Sequence, residues 1–376
     1  MTALDLLLPH DDLADSWRAA RPRPAGRHLD SAACSRQSNR VLEAVAHHAR
    51  HEAELGGYVA EATAGDLLQQ GRSVIGGLVG MAAADVVFVE SAQAALTALL
   101  AAWRLPAGTR VACPPGEYAP NAALLRAAGL VPEPMAVDGD GRVDVAALER
   151  SLAAGPPRFV HLTHVASHRG VVQPAAEVAA LCRAHGVPLV LDAAQSLGHV
   201  DVDLGADVVY STSRKWLAGP RGVGVLCARP AVAAELVPAL PAPADLPPLR
   251  ALESGEAHVA GRVGLVLAVG EHLAAGPHRV RERLAALGRA ARRVLDGAGG
   301  WRVVEPLDEP TATTTLRPPD GVDVVATRAR LLTEHGVVTT AVEPGRAPAE
   351  LTGWVLRVSP HVDGTLDDLE ALAAAL

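Results

Sequence analysis

Short runs of branched apolar residues alternate with alanine-rich stretches of helical character through most of the first 240 residues. That alternation constrains the fold more than any other feature. The apolar runs are Asp85–Val89, Thr109–Ala112, Phe159–Leu162, Leu189–Leu191, Asp207–Tyr210 and Gly222–Cys227. Among and after them lie Ala92–Trp103, Asn121–Ala128, Ala175–His185 and Ala231–Val237. Strands that alternate with helices predict an α/β fold, a mainly parallel sheet with helices on both faces. Five prolines in Val237–Pro248 read as a linker leaving that unit. Beyond them, Val259–Ala274 and Pro277–Gly297 read as long helices. Trp301–Val304, Thr313–Leu316, Gly336–Thr340 and Trp354–Ser359 read as strands of a smaller α/β unit. The expected division is an N-terminal segment 1–26, a large domain 27–245 and a small C-terminal domain 246–376.

Composition removes several classes of function. A chain of 376 residues with 49% hydrophobic content can bury a core without disulfides or metals. A net charge of −8, no long basic run and 3% aromatics leave neither an electrostatic footprint nor stacking platforms for nucleic acid. Cys34, Cys113, Cys182 and Cys227 stand too far apart for a zinc knuckle or a disulfide framework, and read as small buried hydrophobes. Met1–Pro9 is apolar but flanked by Asp11 and Asp12, unlike a secretory signal. No apolar run approaches the ~20 residues of a membrane span, so a cytoplasmic protein is expected. His47, His48 and His51 have helical spacing, but Arg50, Glu52 and Glu54 among them make a polar helix face, and no metal is expected.

The chemistry concentrates in Leu189–Leu226, LVLDAAQSLGHVDVDLGADVVYSTSRKWLAGPRGVGVL. One apolar run ends in Asp192, and the next ends in Ser211-Thr212-Ser213-Arg214-Lys215, followed by Gly219-Pro220-Arg221-Gly222. The carboxyl ends of strands are where open α/β sheets bind ligands. A carboxylate, hydroxyls, a guanidinium and an ammonium at neighbouring strand mouths suit pyridoxal phosphate (PLP). That cofactor needs a lysine for its Schiff base and an acid against its pyridine nitrogen. Its phosphate needs hydroxyls, a cation and backbone N–H donors. Lys215 forms an imine only when uncharged, so burial and the neighbouring Arg214 and Arg221 are expected to lower its pKa. The glycines of Gly219–Gly224 run into a strand and not a helix, which argues against a dinucleotide loop. Ala194 stands where a G-x-S-x-G nucleophile elbow around Ser196 needs glycine.

DAAQ, STSRKW and GPRG together resemble the class V aminotransferase and cysteine desulfurase group, of PLP fold type I. LDSAACS (Leu29–Ser35), Glu90–Gln93, EYAPN (Glu117–Asn121), HLTHVASHRGVVQP (His161–Pro174) and LRVSPH (Leu356–His361) extend the likeness over about residues 27–370. SRKWLAGPRGVG and HLTHVASHRG, with HARHEAELGGYV (His48–Val59) and GEAHVAGRVGL (Gly255–Leu265), are most similar to the ergothioneine-biosynthesis C–S lyases, which act on hercynylcysteine sulfoxide. The resemblance implies that Lys215 carries the cofactor and moves the Cα proton, and that Asp192 pairs with the pyridinium. It implies Gln195 on the ring oxygen and Ser91, Ala92, Gln93, Thr212 and Arg214 on the phosphate. Tyr118 stacks on the ring or donates a proton, Ser167 lies on the far side, and Arg357 holds the carboxylate of a cysteine S-conjugate. A homodimer with Gly255–His258 near the shared site is also implied.

Two departures from the desulfurase pattern matter. Arg214 and Tyr118 stand where that group has histidines. Gly336–Trp354 contains no cysteine, where desulfurases place a nucleophilic one. Without a thiolate there, persulfide formation is not expected, which shifts the expectation from sulfur transfer to elimination. For the substrate's trimethylammonium group, an aromatic face or a carboxylate would serve, and Tyr58, Glu256 and Trp216 are the candidates.

Overall fold

Each of the six apolar runs forms a strand, and a seventh joins them. In the computed structural model the strands are β1 Val86–Val89, β2 Arg110–Cys113, β3 Val131–Pro134, β4 Phe159–Thr163, β5 Leu189–Asp192, β6 Val208–Thr212 and β7 Gly224–Ala228. Their spatial order is β1-β7-β6-β5-β4-β2-β3, and only β7 runs against its neighbours. Residues 8, 12–240 and 246–376 are described. The expected readings of Met1–Pro9 and of the middle of the proline linker, with the division at 245, lie outside them.

Successive residues of the central strands point to opposite faces, and both faces are apolar. Phe88, Leu189, Leu191, Val209 and Val225 belong to one buried cluster. Val87, Val190, Val208, Tyr210 and Leu226 belong to the other. This is why the runs read as continuous apolar stretches rather than as alternating ones. β3, with the sequence VPEP, lies at the sheet edge beside β2, the position where missing proline N–H groups do least harm.

Two long helices, Asn39–Leu55 and Gly57–Leu78, pack against Val259–Ala275. Val259, Val263, Val266 and Val269 of that last helix enter the core of the large sheet. Glu253 ties the assembly together: its carboxylate accepts from Arg72 at 2.8 Å and Arg262 at 2.9 Å, and from the Phe88 backbone N–H at 3.2 Å. A second, antiparallel sheet has the order Thr340–Val342, Val355–Val358, Thr314–Arg317, Arg302–Val303. It is covered by Pro277–Leu295, Val324–His335 and Leu366–Ala375, around Trp301, Leu316, Leu331, Leu356 and Leu369. The expected strand Gly336–Thr340 divides: Val337–Val338 pairs in parallel with Arg27–His28, and Thr340–Val342 joins the small sheet. Among the described residues no single helix is long and apolar enough to cross a membrane.

Candidate active site

The carboxyl ends of the large sheet and the edge of the small one enclose a cavity of about 320 Å³. Ser91, Ala92, Gln93, Tyr118, Ser167, Asp192, Gln195, Thr212, Arg214, Lys215 and Arg357 all line it. The sheet explains much of this convergence. Asp192 ends β5, Thr212 ends β6, and Ser91 follows β1 as the N-cap of helix Ala92–Trp103. The Ser91 hydroxyl accepts from the Ala94 N–H at 3.0 Å, which leaves its O–H able to donate to a ligand. The N–H groups of the first helical turn point into a site suited to an anion. Gly224 lets β7 pass here: a Cβ on it would stand 2.4 Å from the Ser211 carbonyl oxygen and 3.0 Å from the Ser91 carbonyl carbon.

Asp192 is buried and held on both oxygens. Oδ1 accepts from the Ala194 N–H at 2.8 Å and Oδ2 from the Asn121 amide at 2.7 Å. Burial pushes its pKa up, aided by the Glu117 charge and opposed by the Ala194 N–H, His161 and Lys215. Behind it runs a buried chain of polar groups. Glu117 Oε1 accepts from Asn121 at 2.9 Å, Thr163 at 2.7 Å and the Tyr118 N–H at 2.8 Å. Glu117 Oε2 meets His161 Nδ1 at 2.7 Å, and His161 Nε2 meets the Tyr210 hydroxyl at 2.8 Å. Burial alone would neutralise this pair, but each charge holds the other. Glu117 stays below the ordinary carboxylate range and His161 well above the ordinary imidazole range. Cys113, Glu117 and His161 bring three potential ligand atoms within 4.8 Å of one another. The carboxylate oxygens and ring nitrogens are all engaged with protein partners, so hydrogen bonding accounts for the cluster.

The Lys215 pKa is pushed down to about 7, first by burial and then by Arg214, Arg357 and Arg346, against Asp192. The sequence pointed to Arg214 and Arg221 as the cations beside it. Arg221 instead acts on Arg214. Arg357 Nη1 donates to the Ser167 carbonyl at 2.6 Å, while Nη2 donates to Asp30 at 3.2 Å and to Thr340 Oγ1 at 3.3 Å. Gln195 is largely committed to the scaffold: Nε2 donates to the Ala32 carbonyl at 2.9 Å and Oε1 accepts from Trp216 at 3.0 Å. One N–H remains for a ligand.

The three side-chain recognition candidates fare differently. Trp216 is fully buried, stacked 3.6 Å from the His199 ring, and cannot touch a substrate. Tyr58 is 83% exposed at the start of helix Gly57–Leu78, and Glu256 is exposed on a loop. Neither lines the cavity of this chain. In their place stand residues that the sequence did not assign: Asn121, Thr163, Thr340 and Arg346. Asn121 had a visible signal, since it closes the EYAPN motif. Arg346 had none, lying in a loop of glycine and prolines with no motif.

A lysine of lowered pKa, a buried hydrogen-bonded carboxylate and a helix N-terminus with hydroxyls and cations fit pyridoxal phosphate as one donor set. Comparison with known proteins agrees with this geometry. The class-V aminotransferase family model matches residues 27–372. The chain belongs to that family. This class V chain is 55% identical, over 97% of its length and 93% of the relative's, to the probable hercynylcysteine sulfoxide lyase of Mycobacterium tuberculosis. The fold of this class V member matches the apo structure of a cysteine desulfurase from Thermococcus onnurineus NA1, with a TM-score of 0.84, 21% identity and 96% of each chain covered. It also matches a C-DES mutant with glycine covalently linked to its PLP cofactor, with a TM-score of 0.84, 19% identity and coverage of 95% and 98%.

Proposed function

We propose that this chain is a PLP-dependent C–S lyase that cleaves hercynylcysteine sulfoxide by β-elimination, releasing pyruvate, ammonia and the sulfenate of ergothioneine, from which ergothioneine forms when a separate thiol reductant supplies two electrons. The observation that carries the reading is the composition of one cavity. Lys215, Asp192 and Arg357 line it together, and no cysteine does. Pyridoxal phosphate, when bound, supplies an electron sink for the carbanion left as the Cα proton departs. The first turn of helix Ala92–Trp103, Gln93, Thr212 and Arg214 would hold its phosphate. Asp192 would pair with its ring nitrogen, Gln195 would offer its remaining N–H to the ring oxygen, and Tyr118 would lie against the ring. Arg357, kept in place by Asp30 and the Ser167 carbonyl, grips the substrate carboxylate. Lys215 Nζ, its pKa lowered to about 7 so that a substantial share is free amine at neutral pH, takes the Cα proton. The C–S bond then breaks with its electron pair on sulfur. The sulfoxide makes that sulfur a competent leaving group without a strong acid.

Cysteine desulfuration is the second reading, because desulfurases share the fold. It needs a thiolate in reach of the substrate. Among the described residues, Cys113, Cys182 and Cys227 are buried, and none of the four cysteines lines the cavity. We further propose a cytoplasmic homodimer. Four free cysteines suit a reducing compartment, and helix Asn39–Leu55 buries only Val41 and His48.

Two assays test the proposal. Purified enzyme with the sulfoxide is expected to form pyruvate, and with free cysteine to form no alanine. Alanine and persulfide from cysteine, with no pyruvate from the sulfoxide, would establish desulfuration instead. Lys215→Ala is expected to lose both the visible absorbance of the purified protein and pyruvate formation. An unchanged spectrum would remove Lys215 from its assigned role.

A further inference from the structure

The short turn Pro344–Arg346 lies between strands Thr340–Val342 and Val355–Val358 and carries Arg346 into the cavity wall. It falls in Gly336–Trp354, the stretch in which the desulfurase pattern has its cysteine. The guanidinium stands 5.9 Å from the centroid of the Tyr118 ring. Its Nε is buried with no hydrogen-bond partner among the described residues, and no carboxylate pairs with it. Arg357 also leaves its Nε unpartnered, but it differs in that its two terminal nitrogens are held by Asp30, Thr340 and the Ser167 carbonyl. Arg214 and Arg221 differ too, being carried with Thr212 by the end of β6 and the loop after it. A buried charged donor without a partner is costly, and a guanidinium fork matches a carboxylate in two parallel bonds.

We propose that Arg346 binds a second carboxylate of the substrate, the one carried by the group attached to sulfur, and selects for dicarboxylate S-conjugates. This rests on reading the site as a cysteine S-conjugate lyase. Hercynylcysteine sulfoxide has the required chemistry. Its cysteine part carries one carboxylate, and the betaine on its imidazole part carries another. Arg357 takes the first and Arg346 the second, both from the wall of one cavity. A cation that helps to keep Lys215 neutral is then itself neutralised when the correct substrate arrives, which makes Lys215 a stronger base only in that complex.

The test compares holoenzyme, Arg346→Gln and Arg346→Lys on two substrates. One is hercynylcysteine sulfoxide and the other is S-methylcysteine sulfoxide, which lacks the second carboxylate. In Arg346→Gln the ratio of kcat/KM between them is expected to fall about 10- to 100-fold, mostly through KM, with partial recovery in Arg346→Lys. Calorimetric titration of the holoenzyme with hercynine, which keeps the betaine carboxylate and lacks the cysteine part, is expected to show weakened binding in Arg346→Gln. A ratio held within about twofold, with hercynine binding unchanged, overturns the assignment. Wild-type enzyme that makes no pyruvate from the sulfoxide refutes the lyase reading instead, and the hercynine titration still decides the role of Arg346.

Discussion

Lys215 can accept a proton only as the free amine, and its pKa near 7 fixes where that form appears. Below this pH the ammonium prevails, so kcat/KM is expected to fall about tenfold per unit as pH drops through the acid limb, and to level off above it. A pH profile flat from about 6 to 8 would remove Lys215 as the base. The Asp192 carboxylate depends on residues further back. Glu117→Gln breaks the buried pair with His161 and loosens the Asn121 amide that donates to Asp192. Losing one partner of such a pair costs about 3–5 kcal/mol, so chemical denaturation is expected to shift markedly, with weaker retention of cofactor. A stability change under about 1 kcal/mol would show that the chain of polar groups carries no load. Lys215 and Asp192 were legible because each ends an apolar run, and the ends of strands converge by topology alone. Asp30, Thr340 and Arg346 were not. Asp30 reaches Arg357 through pairing between segments some 300 residues apart, and Thr340 and Arg346 sit in and beside a short strand of the small sheet with no motif of its own.

Strand boundaries were legible to within a residue or two wherever both faces are buried, as in β4, β5 and β6, because burial writes itself as an unbroken apolar run. β3 escaped notice because VPEP has the composition of a loop, and only its edge position permits it to be a strand. Helices Asn39–Leu55 and Gly57–Leu78 were not delimited for a different reason: the first fully buries only Val41 and His48, and its inward face is made of small residues such as Ala44 that do not stand out from its polar neighbours. β7 carries its own prediction. Gly224→Ala puts a methyl group 2.4 Å from the Ser211 carbonyl, and relief requires β7 to move away from β6 and from the turn at Ser91. Such overpacking typically costs about 1–3 kcal/mol. The variant is expected to melt lower and to bind cofactor more weakly, because both of its clashes lie beside the phosphate-binding groups. Unaltered melting and cofactor affinity would mean that the strand can shift freely.

At the scale of the whole molecule, Leu42, Leu55, Tyr58 and Val59 stand exposed along and between two adjacent helices, a surface that the proposed homodimer would cover. Light scattering is expected to give twice the chain mass of 38.8 kDa, and Tyr58→Glu with Val59→Glu is expected to shift the protein toward single chains and lower pyruvate formation. A fully active single chain would exclude shared sites. The joining of the two ends of the polypeptide has a further consequence, for synthesis. The Ser31 N–H donates to the Ser359 carbonyl and Ala32 N–H to its hydroxyl, while β1 to β7 all fall between residues 86 and 228. On the ribosome the strands of the large sheet have all been made once Ala228 is added, but its N-terminal flank waits for Ser359, 131 residues later (359 − 228). At about 5–20 residues per second that is roughly 7–26 s. Throughout that interval the nascent chain holds Lys215 but no carboxylate grip, since Asp30 and Arg357 meet only when the last strand has emerged.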